Sequence, residues 1–224
     1  MELQSDEENT DFVPDSTDQL VDRLATYFSI SIIAKRNMGK TRLMSGIIKS
    51  LKAKKRVDKI VVLSGSAGLN DDYKDVINEK LILPFQETTL LNIWNLQASK
   101  KKEEREHILI ILDDCLANPQ ALKSEMVNRL YTQSRHLQIS LAVLSQYGAH
   151  LLTPLRKANS DIIMWCKLNN RGLENLWLST SGITKEKFID ISVKYSNGNY
   201  QFMVLDNFVR SSKAEDQLTV VKAD

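Results

Sequence analysis

Continuous apolar runs recur along this chain, and segments with a helical spacing of apolar residues lie between most of them. The runs predicted as buried strands are 28–33, 59–64, 107–112, 139–144 and 161–166, with shorter extended pieces at 81–84 and 200–205. The predicted helices are 17–27, 42–51, 71–80, 88–106, 119–135, 153–157, 172–179 and 184–195. Strands that are apolar on both faces and alternate with helices are typical of parallel sheets. The pattern therefore predicts an α/β fold, with a mostly parallel sheet flanked by helices on both faces.

The two ends of the chain are more polar than the body between them. Residues 1–15 are acidic and poor in large apolar side chains, which predicts a flexible N-terminal arm. Residues 16–210 carry the alternating pattern and are predicted to form one domain, followed by a polar, peripheral C-terminal tail at 211–224. A chain of 224 residues is long enough for one such domain with a substantial core.

Charge is distributed unevenly, although the net formal charge is only +2. Residues 1–22 contain acidic groups and no lysine or arginine, whereas basic residues cluster at 49–59 and at 100–105. Such clusters suit a polyanion, but they also fit solvated helix ends, where cations complement the helix dipole. The charge pattern leaves both alternatives open.

Composition narrows the class of protein further. The hydrophobic content of 42% and the charged content of 26% are those of an ordinary globular protein. No apolar stretch approaches the length of a membrane span, and the N-terminus lacks the apolar core of a signal peptide. Cys115 and Cys166 adjoin apolar runs and are predicted to be buried thiols. The three histidines are too scattered in sequence to suggest a zinc site.

A candidate phosphate-binding loop joins the first predicted strand to the helix that follows it. The segment from Ala34 to Thr41 matches the Walker A pattern G-x-x-x-x-G-K-[ST], except that Ala34 replaces the first glycine. Lys40 is predicted to contact the β- and γ-phosphates, and the Thr41 hydroxyl to ligate Mg²⁺. The alternative is a lysine-capped loop before an ordinary helix. The predicted nucleotide-binding residues are Ala34, Lys35, Arg36, Asn37, Met38, Gly39, Lys40, Thr41 and Arg42.

Polar residues end two later strands. The run 107–112 is followed by Asp113 and Asp114, the Walker B arrangement, and the run 139–144 leads into Gln146. Because ligands lie at the carboxyl ends of strands in open α/β sheets, Asp113 is predicted to support Mg²⁺ and Asp114 to act on the attacking water. Gln146 is predicted to contact the water or the γ-phosphate. Capping of the following turn is the alternative for the aspartate pair.

These residues together resemble the genome-packaging ATPases of poxviruses, other large DNA viruses and virophages, within the FtsK/HerA superfamily. The resemblance covers roughly residues 28–180. Its specific carriers are the Asp113–Asp114 strand, Arg135–His136, the strand ending at Gln146, and Leu155 to Asn159 before 161–165. The loop departs from the family pattern at Asn37 and Met38, which replace a glycine-rich middle.

The resemblance implies a P-loop NTPase fold of the RecA/ASCE type and an ATPase that uses ATP and Mg²⁺. It implies a homo-oligomeric ring, a pentamer or hexamer, that moves double-stranded DNA into capsids through contacts with capsid or portal proteins. Ring ATPases complete their sites with an arginine from a neighbouring subunit. Arg135 and Arg156 are the two candidates, and the alternative for each is a structural ion pair or a cation at a helix end.

The sequence therefore predicts a viral DNA-packaging ATPase, located in the host cytoplasm or viral factory or associated with the virion. No membrane insertion is predicted. Two other functions remain compatible with the same motifs. One is a different DNA-dependent P-loop ATPase, such as a helicase or replication ATPase, and the other is a scaffold that binds nucleotide without hydrolysing it.

Overall fold

The computed structural model describes residues 11–65, 73–115, 121, 123–146, 152–178, 180, 182–196, 200–209, 211 and 214–223. Its strands, in chain order, are β1 (Ser29–Ala34), β2 (Lys59–Ser64), β3 (Ile82–Pro84), β4 (Ile108–Asp113), β5 (Ile139–Ser145), β6 (Ile162–Cys166), β7 (Gln201–Asp206) and β8 (Leu218–Lys222). They form one sheet in the order β3-β2-β4-β5-β1-β6-β7-β8. Strands β1 to β6 pair in parallel, whereas β7 and β8 are antiparallel to their neighbours.

Helices connect most of these strands. The helices are α1 (Thr17–Arg23), α2 (Lys40–Ala53), α3 (Glu87–Ser99), α4 (Glu125–Gln133), α5 (Pro154–Ala158), α6 (Asn170–Trp177), α7 (Lys185–Tyr195) and α8 (Ala214–Gln217). Short 3₁₀ segments lie at Glu79–Leu81, Lys102–Glu104 and Ser134–Leu137. In the described part of the chain, no helix is both long and apolar enough to cross a membrane.

Apolar clusters cover both faces of the sheet, as the continuous apolar strands predict. On one face, Ile30 and Ile32 of β1 share a cluster with Leu20 of α1 and Leu43 of α2. On the other face, the remaining strand side chains pack with residues from α3, α4, α6 and α7, including Leu90, Leu130, Leu176 and Phe188. Since strand side chains alternate between faces, each central strand contributes to both clusters. The α/β fold with helices on both faces is confirmed.

The strand order places β5 between β1 and β4, although β5 follows both in sequence. The phosphate-loop strand and the aspartate strand are therefore separated by one strand in space. That inserted strand is itself the one that ends beside Gln146. This arrangement brings the polar residue that follows β5 between the phosphate loop and the two aspartates.

The prediction of a polar, peripheral C-terminal tail at 211–224 is wrong for residues 218–222. Leu218–Lys222 forms β8, which pairs with β7 along five register positions and buries Val220 and Val221 completely. The described end of the N-terminal arm, at 11–15, is also attached. The Asp15 N–H donates to Val220 O over 2.8 Å, and Lys222 N–H donates to Asp15 O over 3.1 Å. Residues 1–10 lie outside the described chain.

Three predicted helices are shorter than expected or missing. Helix α1 ends at Arg23 rather than at residue 27, since Leu24 takes an extended conformation. The Arg56 guanidinium donates to the carbonyl of Val21 in the last turn and to those of Leu24 and Ala25 after it. The segment predicted as helix 71–80 is not helical over 73–78, which form turns and bends, and 3₁₀ follows at Glu79–Leu81. Helix α3 ends at Ser99 rather than at residue 106.

The predicted helix 119–135 is described without a gap only from residue 123 onward, and there the helix α4 runs from Glu125 to Gln133. Ser124 caps α4 by accepting a hydrogen bond from Val127 N–H over 3.1 Å, and a 3₁₀ turn replaces the helix after Gln133. Residues 119, 120 and 122 lie outside the described chain. The two cysteines are buried thiols, as predicted, and burial raises the pKa of Cys115 to about 12 and that of Cys166 to about 11.

His107 makes stability dependent on pH. It is buried at the start of β4, its Nε2 lies 2.7 Å from Ser140 Oγ, and burial lowers its pKa below the ordinary value. Because the unfolded chain binds this proton more readily, the stabilisation is fully present above the unfolded pKa of about 6.5 and is lost as the pH falls through the folded value. We expect the free energy of unfolding in urea to decrease from about pH 7.5 to about pH 5, and to decrease less in His107→Gln. The exposed His136→Gln variant should keep the wild-type slope, and an unchanged slope in His107→Gln would contradict the assignment.

Candidate nucleotide-binding and hydrolysis site

The loop between β1 and α2 has the backbone of a phosphate cradle. Gly39 precedes the first residue of α2 and adopts a left-handed conformation, with φ of 86°. A Cβ atom at Gly39 would lie only 2.4 Å from Tyr200 Cδ1, so the position requires glycine for space as well as for conformation. In the described structure no side chain caps the first turn of α2. Its backbone N–H groups therefore remain suited to an anion.

Ala34 explains why the loop tolerates the missing first glycine. It is the last residue of β1, pairs with Cys166 of β6 and is fully buried. A residue in strand conformation does not need the positive φ that only glycine adopts easily. Asn37 instead takes the left-handed conformation within the loop, with φ of 61°. Asparagine is among the residues that tolerate it best.

Lys40 is the first residue of α2, and its side chain reaches back to the loop carbonyls, within range of the charges of Asp113 and Asp114. The side chain is largely buried, and Nζ donates to Ala34 O over 3.0 Å and to Lys35 O over 3.4 Å. Burial lowers the pKa of Lys40 below its ordinary value, while the charges of Asp114 and Asp113 act in the opposite direction. The structure thus brings the Walker A lysine within electrostatic range of the two Walker B carboxylates.

Asp113 is held at the end of β4 by a neighbour that the sequence did not reveal. Its backbone pairs with Ser64 of β2 and Leu144 of β5, and its side chain is buried. The Tyr73 hydroxyl donates to Asp113 Oδ2 over 2.7 Å. Tyr73 was missed because it lies in the segment predicted as a helix at 71–80, and no local motif marks it. This bond fixes the orientation of the carboxylate.

Asp114 and Gln146 form the second polar pair of the site. Asp114 adopts a left-handed conformation with φ of 51°, which breaks the alternation of the strand at that residue. Its N–H donates to Leu144 O over 3.2 Å, and its Oδ2 accepts a hydrogen bond from Gln146 Nε2 over 3.0 Å. The residues predicted as the catalytic acid and the polar sensor are therefore in direct contact.

The donors for a magnesium ion are hard oxygen atoms. Asp113 offers a carboxylate, and Thr41 in the first turn of α2 offers a hydroxyl. Across the described ranges, no group of three or more His, Cys, Asp or Glu side chains is arranged to hold a metal. A site with few protein ligands suits Mg²⁺, which keeps several waters and is usually completed by substrate phosphates. The residues present fit this ion.

The two candidate arginines lie in different surroundings. Arg135 precedes β5 and pairs with Asp161 before β6, so it lies at the amino end of the parallel strands, opposite to the phosphate loop. Its side chain is 43% exposed. Arg156 is only 1% exposed, and its Nε donates to Asn128 Oδ1 over 3.1 Å. Within its own subunit, Arg135 thus forms a structural ion pair, which was one alternative to a catalytic role. Arg156 is instead buried between α4 and α5.

Asp161 is the ion-pair partner of Arg135 at the amino end of the parallel strands. The carboxylate is buried, accepts a hydrogen bond from Ser29 N–H over 2.7 Å and lies against Arg135. Burial raises the pKa of Asp161, although the Ser29 bonds and the Arg135 charge lower it in part. The Arg135 guanidinium also lies 6.0 Å from the centre of the Phe208 ring.

A sheet with a phosphate loop on a central strand, an inserted strand and two carboxylates on the next strand defines a P-loop ATPase fold. Within this class, the chain belongs to the poxvirus A32 protein family, whose model matches residues 18–224. The family predicted from the Walker motifs and the Arg135–His136 segment is confirmed.

The chain is similar to two viral proteins and to a conjugation coupling protein. It is 25% identical over 196 residues to the uncharacterized protein 015R of Frog virus 3, covering 86% of this chain and 60% of that protein. The genome-packaging NTPase B204 of Sulfolobus turreted icosahedral virus 2, solved with ATPγS, superposes with a TM-score of 0.63 at 15% identity, covering 89% of this chain and 98% of B204. The pCW3 conjugation coupling protein TcpA, also solved with ATPγS, gives 0.57 at 14% identity over 88% of this chain and 60% of TcpA. These structures share the fold.

Proposed function

We propose that the chain hydrolyses ATP. The observation that carries this proposal is the convergence of Lys40, Asp113, Asp114 and Gln146 at the carboxyl ends of β1, β4 and β5. A loop that only bound phosphate would need the lysine and the backbone amides. The second carboxylate, in contact with an amide side chain, is the additional part that water activation requires.

Each side chain then has one task in the reaction. Lys40 and the first-turn amides of α2 hold the β- and γ-phosphates and neutralise their charge. Asp114 accepts the proton of the attacking water. The Gln146 amide donates through Nε2 to Asp114, so its Oε1 is directed elsewhere and can accept from that water. Asp113, oriented by Tyr73, and Thr41 would hold Mg²⁺, which neutralises charge on the phosphate oxygens when bound.

We infer further that hydrolysis drives packaging of viral double-stranded DNA into capsids, in the host cytoplasm or viral factory. Membership of the poxvirus A32 protein family supports this task, as does the shared fold with B204, itself a genome-packaging NTPase. The partners would be duplex DNA, further copies of the chain in a ring, and capsid or portal proteins. The chain spans about 60% of the length of protein 015R.

Phosphate release measured with and without duplex DNA tests this function. We expect DNA to stimulate release, because a translocating motor couples turnover to its track. A flat response would favour the nucleotide-binding scaffold. Movement of the protein along duplex DNA past a bound roadblock should occur without strand displacement. Strand displacement in the parallel assay would instead identify a helicase.

We propose that Arg135, rather than Arg156, serves the site of a neighbouring subunit. Both arginines would have to give up an interaction within their own subunit, Arg135 its ion pair with Asp161 and Arg156 its bond to Asn128. The Arg135 side chain is already 43% exposed, whereas Arg156 is buried. Protomers carrying Arg135→Lys, which keeps the charge beside Asp161, should be inactive alone. Mixing them with inactive Lys40→Ala protomers should restore activity, because each partner supplies what the other lacks. In the control, Arg135→Lys protomers are mixed with a Lys40→Ala/Arg135→Lys double variant, and this mixture should stay inactive because no protomer supplies Arg135. An absence of recovery in the first mixture would contradict the proposal.

A further inference from the structure

A cavity adjoins the phosphate loop on the β7–β8 side of the sheet, away from Asp113 and Asp114. Its volume is about 700 Å³, within the range of small-molecule sites. Its lining includes Ser16 and Gln19 from the start of α1, Arg42 from the first turn of α2, Tyr200 before β7, and Ala223 after β8. Arg42 directly follows Thr41 in sequence, so the cavity begins where the phosphate-binding turn ends.

Arg42 and Tyr200 give this cavity a stacking wall. The Arg42 guanidinium lies 4.7 Å from the centre of the Tyr200 ring, and the ring edge borders Gly39 in the loop itself. Tyr200 is 42% exposed, so part of its ring is open to the cavity. Aromatic rings and guanidinium planes are the surfaces on which nucleobases stack.

The backbone holds Tyr200 in place at some cost. Its φ is 59°, the left-handed conformation that a bulky residue seldom adopts. The position is fixed because the Tyr200 carbonyl accepts a hydrogen bond from Ala223 N–H over 3.0 Å. Strained residues of this kind tend to occur at ligand sites, where the surrounding structure supports them.

The opposite wall is ordered by hydrogen bonds and an ion pair at the start of α1. Ser16 and Gln19 bond to each other reciprocally: Gln19 N–H donates to Ser16 Oγ over 3.3 Å, and Ser16 N–H donates to Gln19 Oε1 over 2.8 Å. The Asp15 carboxylate pairs with Arg23 over 2.7 Å. These groups complete the start of α1 and its attachment to β8. Gln19 and Lys222 also line the cavity, so the wall opposite the Arg42–Tyr200 pair is polar.

We propose that this cavity receives the base of a purine nucleoside triphosphate, bound by stacking against Arg42 and Tyr200. The proposal rests on nucleotide binding at the phosphate loop, since the base is attached to the phosphates through the ribose. Purines stack over a larger area than pyrimidines, so ATP and GTP bind more tightly than CTP. The stacking surface itself favours both purines alike, so any preference between ATP and GTP would come from the polar lining residues Gln19 and Lys222.

Equilibrium binding of ATP, GTP, CTP and inorganic tripolyphosphate, each with Mg²⁺, tests the site. Tripolyphosphate reports on the phosphate loop alone. We expect Tyr200→Ala to weaken ATP binding about ten-fold, the scale of one base stacked on an aromatic ring, while tripolyphosphate affinity stays within about two-fold. Tyr200→Phe should bind ATP like the wild type. Phe208→Ala, a similarly exposed aromatic at the opposite end of the sheet, should leave both affinities unchanged.

The outcomes separate this proposal from nucleotide binding itself. If wild-type protein binds neither ATP nor tripolyphosphate, the proposed function fails and this inference fails with it. If wild-type protein binds ATP and tripolyphosphate, but Tyr200→Ala weakens the binding of both ligands equally or of neither, the base lies elsewhere. The proposal that the loop binds phosphates would then still hold. Wild-type preference for CTP would also overturn the stacking site. Photolabelling with 8-azido-ATP gives an independent readout, and the labelled peptide should contain Tyr200.

Discussion

Replacing Asp114 with asparagine should stop phosphate release while leaving nucleotide binding nearly intact. Asparagine has the size of aspartate, and its side-chain oxygen can still accept the hydrogen bond from Gln146 that the carboxylate accepts over 3.0 Å. It cannot take up a proton from water. General-base catalysis contributes roughly two to four orders of magnitude to turnover, so we expect a loss of that size in steady-state phosphate release.

The matched control for this variant is Asp190→Asn on the exposed face of α7, which should hydrolyse ATP at the wild-type rate. Binding of a fluorescent ATP analogue to Asp114→Asn should agree with wild type within about two-fold, since the lost group contacts water rather than phosphate. Turnover by Asp114→Asn equal to that of wild type would show that Asp114 only caps the turn after β4. Loss of binding together with turnover would point to a structural role instead.

Replacing Lys40 with alanine should abolish measurable nucleotide binding. In the folded chain the Lys40 ammonium is buried between the loop carbonyls and within range of two carboxylates. Removing it leaves Asp113 and Asp114 to repel the incoming phosphates without compensation. Truncating one partner of a buried charge pair costs about 2–5 kcal/mol, which corresponds to a loss of affinity of at least about thirty-fold.

Thermal unfolding with increasing ATP and Mg²⁺ measures this effect, because a ligand that binds only the native state raises the melting temperature. The wild-type midpoint should rise with ATP concentration, and that of Lys40→Ala should remain constant. Lys49→Ala provides the control, since it removes a lysine from the exposed side of the same helix. An equal rise in Lys40→Ala would mean that the 34–41 loop is not the phosphate site.

The strands and the loop were predictable because their physical signals are local. A strand buried on both faces, such as β4, must be apolar at every position, and its chain continues into Asp113 and Asp114. The turn between β1 and α2 requires a left-handed glycine at Gly39, which the motif displays. The lysine, the two acids and the amide of the site were therefore predictable at the ends of their strands.

The parts that sequence did not predict depend on contacts between distant segments. The 71–80 segment has helical spacing, yet Tyr73 instead donates to Asp113, forty positions away. β8 is short and carries polar neighbours, so its partner β7 and the bond to Asp15 decide its conformation. The approach of Tyr200 to Gly39 is likewise a tertiary contact. No periodicity within a single element encodes such pairings.

Arg135 and the phosphate loop lie at opposite edges of one sheet, and this separation restricts how subunits can associate. In a two-fold symmetric pair the same patch meets itself, so one patch would have to reach both edges at once. An arginine that completes a neighbour's site from the far edge instead requires a head-to-tail contact, in which each subunit presents one edge and receives the other. Such contacts close into a ring with two different faces if the rotation between subunits closes, and extend into a filament if it does not. The orientation of Arg135 beside Asp161 would thus give the assembly a polarity along its axis.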